Sequence, residues 1–154
     1  MNSLKETLQA DLNDAMRSRE TLTVSTLRMV LAAITNEEVS GKQARELSDQ
    51  EVVTVLNREA KKRKEASVAY TDASRPELAA QEDLELAVIK KYLPEELSED
   101  ELSAIIASAV AEVSASGQAG PSAMGAVMKI VQPQVSGRAD GGQVASLVKK
   151  LLSE

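Results

Sequence analysis

The sequence predicts an all-α protein: an N-terminal helical bundle followed by a small three-helix C-terminal domain. Three observations carry that expectation. Apolar residues recur at helical spacing along nearly the whole chain, and Ser-x-x-Glu capping boxes stand at the starts of several periodic runs. No stretch alternates with period two for long enough to argue a strand.

The first helix opens at the box formed by Ser3 and Glu6, ahead of Leu4, Leu8, Leu12 and Ala15. In "RETLTVSTLRMVLAAITNEE" the residues Leu27, Val30, Leu31 and Ile34 share one stripe, the pattern of a buried face, and Gly41 offers a stop shortly afterwards. "LSDQEVV" and "LSEDELS" share one design, a Ser N-cap with Glu three residues on. In each, a leucine before the cap can staple to an apolar residue in the next turn: Leu47 to Val52, and Leu97 to Leu102. The third helix is expected from Asp49 to Tyr70. A box from Ser74 to Glu77, with Pro76 in its first turn, opens a fourth from Arg75 to Tyr92. Leu93-Pro94 ends it, because the residue before proline is pushed out of the α region.

Beyond that point the pattern shortens. Leu102, Ile105, Ile106, Ala109, Val110 and Val113 make a fifth amphipathic helix, closed by "SASGQAG". Pro121 fits the first turn of a sixth with Met124, Val127, Met128 and Val131 as its stripe, ended by Pro133 and Gly137. Val144, Leu147, Val148, Leu151 and Leu152 form the stripe of a seventh. The expected organisation is a four-helix bundle over 1–93, a linker at 94–96, and a three-helix domain over 97–154.

Composition excludes whole classes of chemistry. Histidine and cysteine are absent, so no thiolate nucleophile, imidazole base, disulfide or standard zinc site can be built. No catalytic, cofactor-binding or metal-binding residue is assigned from the residue pattern. Phe and Trp are absent and Tyr occurs twice, which removes the aromatic platforms that grip single-stranded nucleic acid. No run approaches the ~18 apolar residues of a membrane span, and the N-terminus lacks the basic and apolar regions of a signal peptide. A soluble, cytoplasmic protein without membrane contact is expected.

The net charge is −6, but its distribution matters more. Residues 1–93 hold 14 basic and 16 acidic side chains, and residues 94–154 hold 4 and 8. RNA contact would therefore use local clusters. The densest is "NREAKKRKEAS", with Arg58, Lys61, Lys62 and Lys64 as candidate contacts. The competing reading is a solvated helix face supported by Glu59–Arg63 and Lys61–Glu65 pairs. The second set is Lys129, Arg138, Lys149 and Lys150, all the cations of the final module. Lys149 and Lys150 also suit the negative end of the last helix dipole.

"GRADGG" lies between two helical stripes. Gly137 fits a left-handed position after one helix, and Asp140 fits the N-cap of the next. Neither a P-loop nor a dinucleotide fingerprint has this spacing or context. Arg138 fits two roles, a phosphate contact beside a helix N-terminus or a solvated surface arginine. Arg28, beside Leu27, reads as a salt-bridged interior residue. Glu37 and Glu38 are adjacent, and adjacent carboxylates diverge on a helix, which argues against a metal pair.

"TLRMVLAAITNEE", "YLPEELSEDEL" and "MGAVMKIVQPQVSGRADGGQVASLVKKLL", in that order, resemble the GatB/YqeY family, in particular its short stand-alone YqeY-like members. The likeness covers almost the whole chain. It implies a helical bundle followed by a three-helix domain, and kinship with the tail of the B subunit of glutamyl/aspartyl-tRNA amidotransferase. In that enzyme the tail recognises the tRNA body, and the chemistry occurs elsewhere. The family label implied alongside is a carbon–nitrogen ligase with glutamine as amido donor. The residues show no Ser/Ser/Lys-type amidase pattern, nucleophile elbow or ATP-binding loop to match it.

Three functions stay in competition. The first is a noncatalytic module that binds tRNA or an aminoacyl-tRNA complex. The second is the glutamine-dependent ligase, and the third an adaptor whose small domain binds a protein partner through an apolar groove. The sequence leaves the oligomeric state open.

Overall fold

Serine caps start three of the helices. Ser3, Ser48 and Ser98 each accept a hydrogen bond from the backbone N–H three residues on. The carboxylates of Glu6, Glu51 and Glu101 each accept one in return from the cap's own N–H. The computed structural model describes residues 2–154 and is all-helical, with no strand among them. Its helices are α1 (Leu4–Arg17), α2 (Thr21–Glu38), α3 (Asp49–Asp72), α4 (Pro76–Lys90), α5 (Glu99–Ala115), α6 (Met124–Val135) and α7 (Gly141–Ser153).

The chain divides into two compact units, one ending at Leu93 and one beginning at Pro94. In the first, α1 packs on α2, α3 on α4, and α2 against both members of the second pair. The predicted stripes meet there. Leu8 and Leu12, then Leu27, Val30 and Ile34, then Val52 and Leu56, then Leu86 and Ile89 fill one aliphatic core. Each fully buried side chain of this kind is worth ~2 kcal/mol against exposure. Side chains also tie the helices together: Asp49 accepts from the N–H of Leu4 at 2.9 Å, so the start of α3 caps the start of α1. Tyr92 donates its hydroxyl to Asp11 at 2.6 Å.

In the second unit every helix packs on the other two. Leu102, Ile106, Ala109 and Val113 of α5 meet Val127, Val131 and Val135 of α6 and Val144 and Val148 of α7. No ring contributes to this core. Valine at four-residue spacing presents short, stiff side chains, which lets the helices approach closely.

Several expected boundaries shift, each for a local reason. Ser74 does not cap α4. It adopts φ 59° and closes α3 instead: the N–H of Arg75 reaches the carbonyl of Tyr70, and that of Ser74 the carbonyl of Thr71. That pair of hydrogen bonds is the usual helix ending built around a left-handed residue. The N-cap of α4 is Arg75, which makes no side-chain cap bond, and Pro76 is in its first turn. Arg19, at φ 58°, ends α1 the same way. Helix α2 stops at Glu38, before Gly41, and α3 runs two residues past Tyr70 to Asp72. Helix α4 ends at Lys90, leaving Tyr92 in a turn. Pro121 lies in a short 3-10 turn (Pro121–Ala123) that leads into α6. Pro133 does not end α6, which continues to Val135. Missing one N–H near the last turn is tolerated, and Gly137 at φ 76° supplies the turn out of the helix.

Candidate nucleic-acid interface

The basic run of α3 follows from the helix it sits on. Val52, Val55, Leu56 and Ala60 face the core, so Arg58, Lys61, Lys62 and Lys64 fall on the exposed side. Their charge is partly compensated within the protein. Arg58 pairs with Glu37 of α2 at 3.2 Å, and Lys62 with Glu59 at 3.2 Å. Glu38, next to Glu37, turns instead to Lys5 of α1, so the two adjacent carboxylates do diverge.

The fifth cation of the run behaves differently. Arg63 is only 6% exposed. It binds Glu59 at 2.8 Å and lies 3.4 Å from Glu85 of α4, with the Met29 sulfur of α2 at 3.7 Å. Three helices therefore meet on one guanidinium. Burial opposes ionisation of Glu59, but hydrogen bonds from Arg63 and Lys62 outweigh it and hold the carboxyl below its ordinary value. Glu82 goes the other way: burial and repulsion from Glu85 raise it, with Arg63 offsetting only part. The Glu59–Arg63 pair of the solvated-face reading does form, but it is buried rather than solvated. The missed signal is its position, which continues the buried series Val52, Leu56, Ala60 by three residues.

Arg28 reverses its expectation. It is exposed, and its guanidinium lies 3.6 Å from the Met16 sulfur rather than against a carboxylate. The interior arginine of this unit is Arg63.

In the second unit the joint between α6 and α7 is built as its residues dictate. Gly137 takes the left-handed conformation, and Asp140 caps α7 by accepting from the N–H of Gln143 at 3.2 Å. Arg138, between them, is half-buried. Its Nε donates to the carbonyl of Glu95 at 3.1 Å, and its own carbonyl accepts from the N–H of Leu97 at 2.9 Å. The guanidinium fastens the 95–97 segment to this turn. Lys129 on α6 and Lys149 and Lys150 on α7 are exposed and make no side-chain hydrogen bond or ion pair among the described residues.

Among the described residues no group of three or more acidic side chains is placed to hold a metal, and no helix is long and apolar enough to cross a membrane.

The fold and its surfaces define a two-unit helical protein in which Arg63 is buried between two carboxylates of the first unit, while Lys129, Lys149 and Lys150 of the second are exposed and unpaired among the described residues. A family described as Yqey-like protein matches residues 5–152, and the chain belongs to that family. Among curated relatives, an uncharacterized protein of Schizosaccharomyces pombe is 32% identical over 96 residues, covering 62% of this chain and 76% of its own length. The protein named Altered inheritance of mitochondria protein 41, mitochondrial, of Pyrenophora tritici-repentis is 27% identical over 141 residues, 90% of this chain and 75% of that protein. Its namesake in Clavispora lusitaniae is 31% identical over 91 residues, 59% and 52% of the two lengths.

Proposed function

We propose that this YqeY-like protein is a noncatalytic accessory module that binds tRNA, or an aminoacyl-tRNA complex, through its phosphate backbone. The observation that carries the reading is the contrast between its two basic clusters. On α3, Arg58 and Lys62 already face carboxylates of this chain. On α7, Lys149 and Lys150 are exposed and unpaired among the described residues. Uncompensated cations on a rigid helix contact phosphates without first breaking an internal ion pair. A duplex-like RNA body is the fitting target, because its shape and backbone are read without aromatic stacking.

The absence of intrinsic catalysis is part of the same proposal. It rests on the roles of the buried ionisable groups: Arg63 is held by Glu59 and Glu85, and Tyr92 by Asp11. We place its work in the cytoplasm, and the mitochondrial designation belongs to the names of the fungal relatives.

The test is a titration of purified tRNA against the full-length protein at two salt concentrations. Binding is expected at low salt and falls steeply as salt rises. Reversal at Lys149 and Lys150 lowers affinity about tenfold, and reversal at Lys62 lowers it less. No binding at low salt refutes the proposal. Ammonia release from glutamine by the purified chain, well above buffer, refutes its noncatalytic half.

A further inference from the structure

The exposed side of α6 carries a feature whose apolar lining phosphate contact would not engage. Gly125, Ala126, Met128, Lys129, Gln132 and Pro133 line an open trough of about 670 Å³. A second trough adjoins it over the end of α5, past Glu112 and Ser116, and shares Ala126 and Lys129 with the first. Both lie within the second unit. We propose that the α6 trough docks an amphipathic helical segment of another protein. That segment offers aliphatic side chains to Ala126, Met128 and Pro133 and a carboxylate to Lys129.

Shape argues for a helix as occupant. The lining residues recur at three- and four-residue spacing, so the trough runs between side-chain ridges of α6, the surface on which a second helix packs. Being open, it would leave most of a small ligand in water. A side chain at Gly125 would meet nothing within 4 Å, so no internal neighbour requires the glycine. Its bareness keeps the wall low enough for a partner's backbone to approach. Pro133, inside α6, has no N–H, so the Lys129 carbonyl lacks its donor four residues on.

Charge selects the partner. Lys129 is exposed and has no ion pair among the described residues, in a unit holding 4 basic and 8 acidic side chains. Covering the apolar lining also takes water from this ammonium, and a buried cation without a counter-charge is strongly unfavourable. A carboxylate on the incoming helix removes that cost. Phosphate could neutralise Lys129 but gains nothing from Met128, Ala126 and Pro133. No aromatic ring is among the lining residues, so the trough itself offers nothing to stack a base.

The full-length protein is used to select from a displayed library of helical peptides, and the binders are then titrated against purified variants. Selected sequences are expected to share aliphatic residues at three- and four-residue spacing together with Asp or Glu. They should bind about tenfold more weakly to Lys129→Glu and to Gly125→Trp, which fills the trough, and unchanged to Lys149→Glu. Circular dichroism melts confirm that each variant folds. Absence of enrichment, a basic consensus, or binders indifferent to both trough variants overturns the proposal. So does loss of tRNA rather than peptide affinity at Gly125→Trp, which reassigns the trough to RNA. A wild-type dimer that Gly125→Trp converts to monomer overturns it in favour of a second copy.

Discussion

Arg138 and Leu97 are joined backbone to backbone, the N–H of Leu97 donating to the carbonyl of Arg138 at 2.9 Å, while the Arg138 side chain reaches the carbonyl of Glu95 at 3.1 Å. "YLPEEL" and "GRADG", some forty residues apart in sequence, thus contain the two halves of one clasp within the second unit. The resemblance picked out both motifs, and the clasp gives a physical reason for their pairing.

Truncating Arg138 to Ala should therefore destabilise the second unit. One hydrogen bond to a carbonyl is lost at a half-buried site, an expected cost of ~1 kcal/mol. The backbone bond from Leu97 survives the change. A urea titration of the Arg138→Ala protein checks the value, and an unchanged midpoint would mean the side-chain contact contributes nothing.

Arg63 should be the most sensitive polar position of the first unit. Arg63→Ala leaves Glu59 and Glu85 facing each other without their shared cation and opens a cavity among three helices. A loss of roughly 3 kcal/mol is expected, after allowing for the residual solvent contact of both carboxylates. Arg63→Met combined with Glu59→Gln and Glu85→Gln removes the charges together and should recover much of it. Chemical denaturation of the two variants measures the difference.

The same network sets an acid profile. The folded-state value of Glu59 is lowered below its ordinary 4.5, so its stabilisation is present above 4.5 and is lost as pH falls through the lower folded value. Glu82 is raised, so its ionised form penalises the folded state near neutrality, and that penalty fades as pH falls through the raised value. Glu59→Gln should flatten the fall in stability below pH 4.5. Glu82→Gln should raise stability near neutrality and remove the gain on mild acidification. Urea midpoints followed from neutral to acid pH distinguish the two.

Ser74 occupies a left-handed backbone conformation at φ 59°, where a Cβ is unfavourable. Ser74→Gly keeps the two terminal hydrogen bonds of α3 and relieves that strain, for an expected gain of ~0.5 to 1 kcal/mol. Thermal melts compare the two proteins. A lower melting temperature would show that the serine side chain contributes more than its strain costs.

What could be read from the chain was whatever is decided within a turn or two of helix. The caps at Ser3, Ser48, Ser98 and Asp140, the left-handed Gly137 and the aliphatic stripes depend on hydrogen bonds and periodicities spanning at most a few residues. Ser74 shows where that logic fails. Its spacing to Glu77 offered a helix start, but the ending of α3 took the residue.

Tertiary structure decided which partners the interior charge meets. In "KKRK" helical register puts Arg63 in line with Val52, Leu56 and Ala60, but only the packing of α2, α3 and α4 brings Glu59, Glu85 and Met29 onto its guanidinium. Arg28 took the opposite course and stayed at the surface. The sequence by itself determined an all-helical chain with aliphatic cores, because helix formation and amphipathicity are properties of short windows. The pairing of Arg63 with Glu85, of Tyr92 with Asp11 and of Arg138 with Glu95 had to await the fold. Each joins residues distant in the chain, and their meeting depends on how whole helices pack.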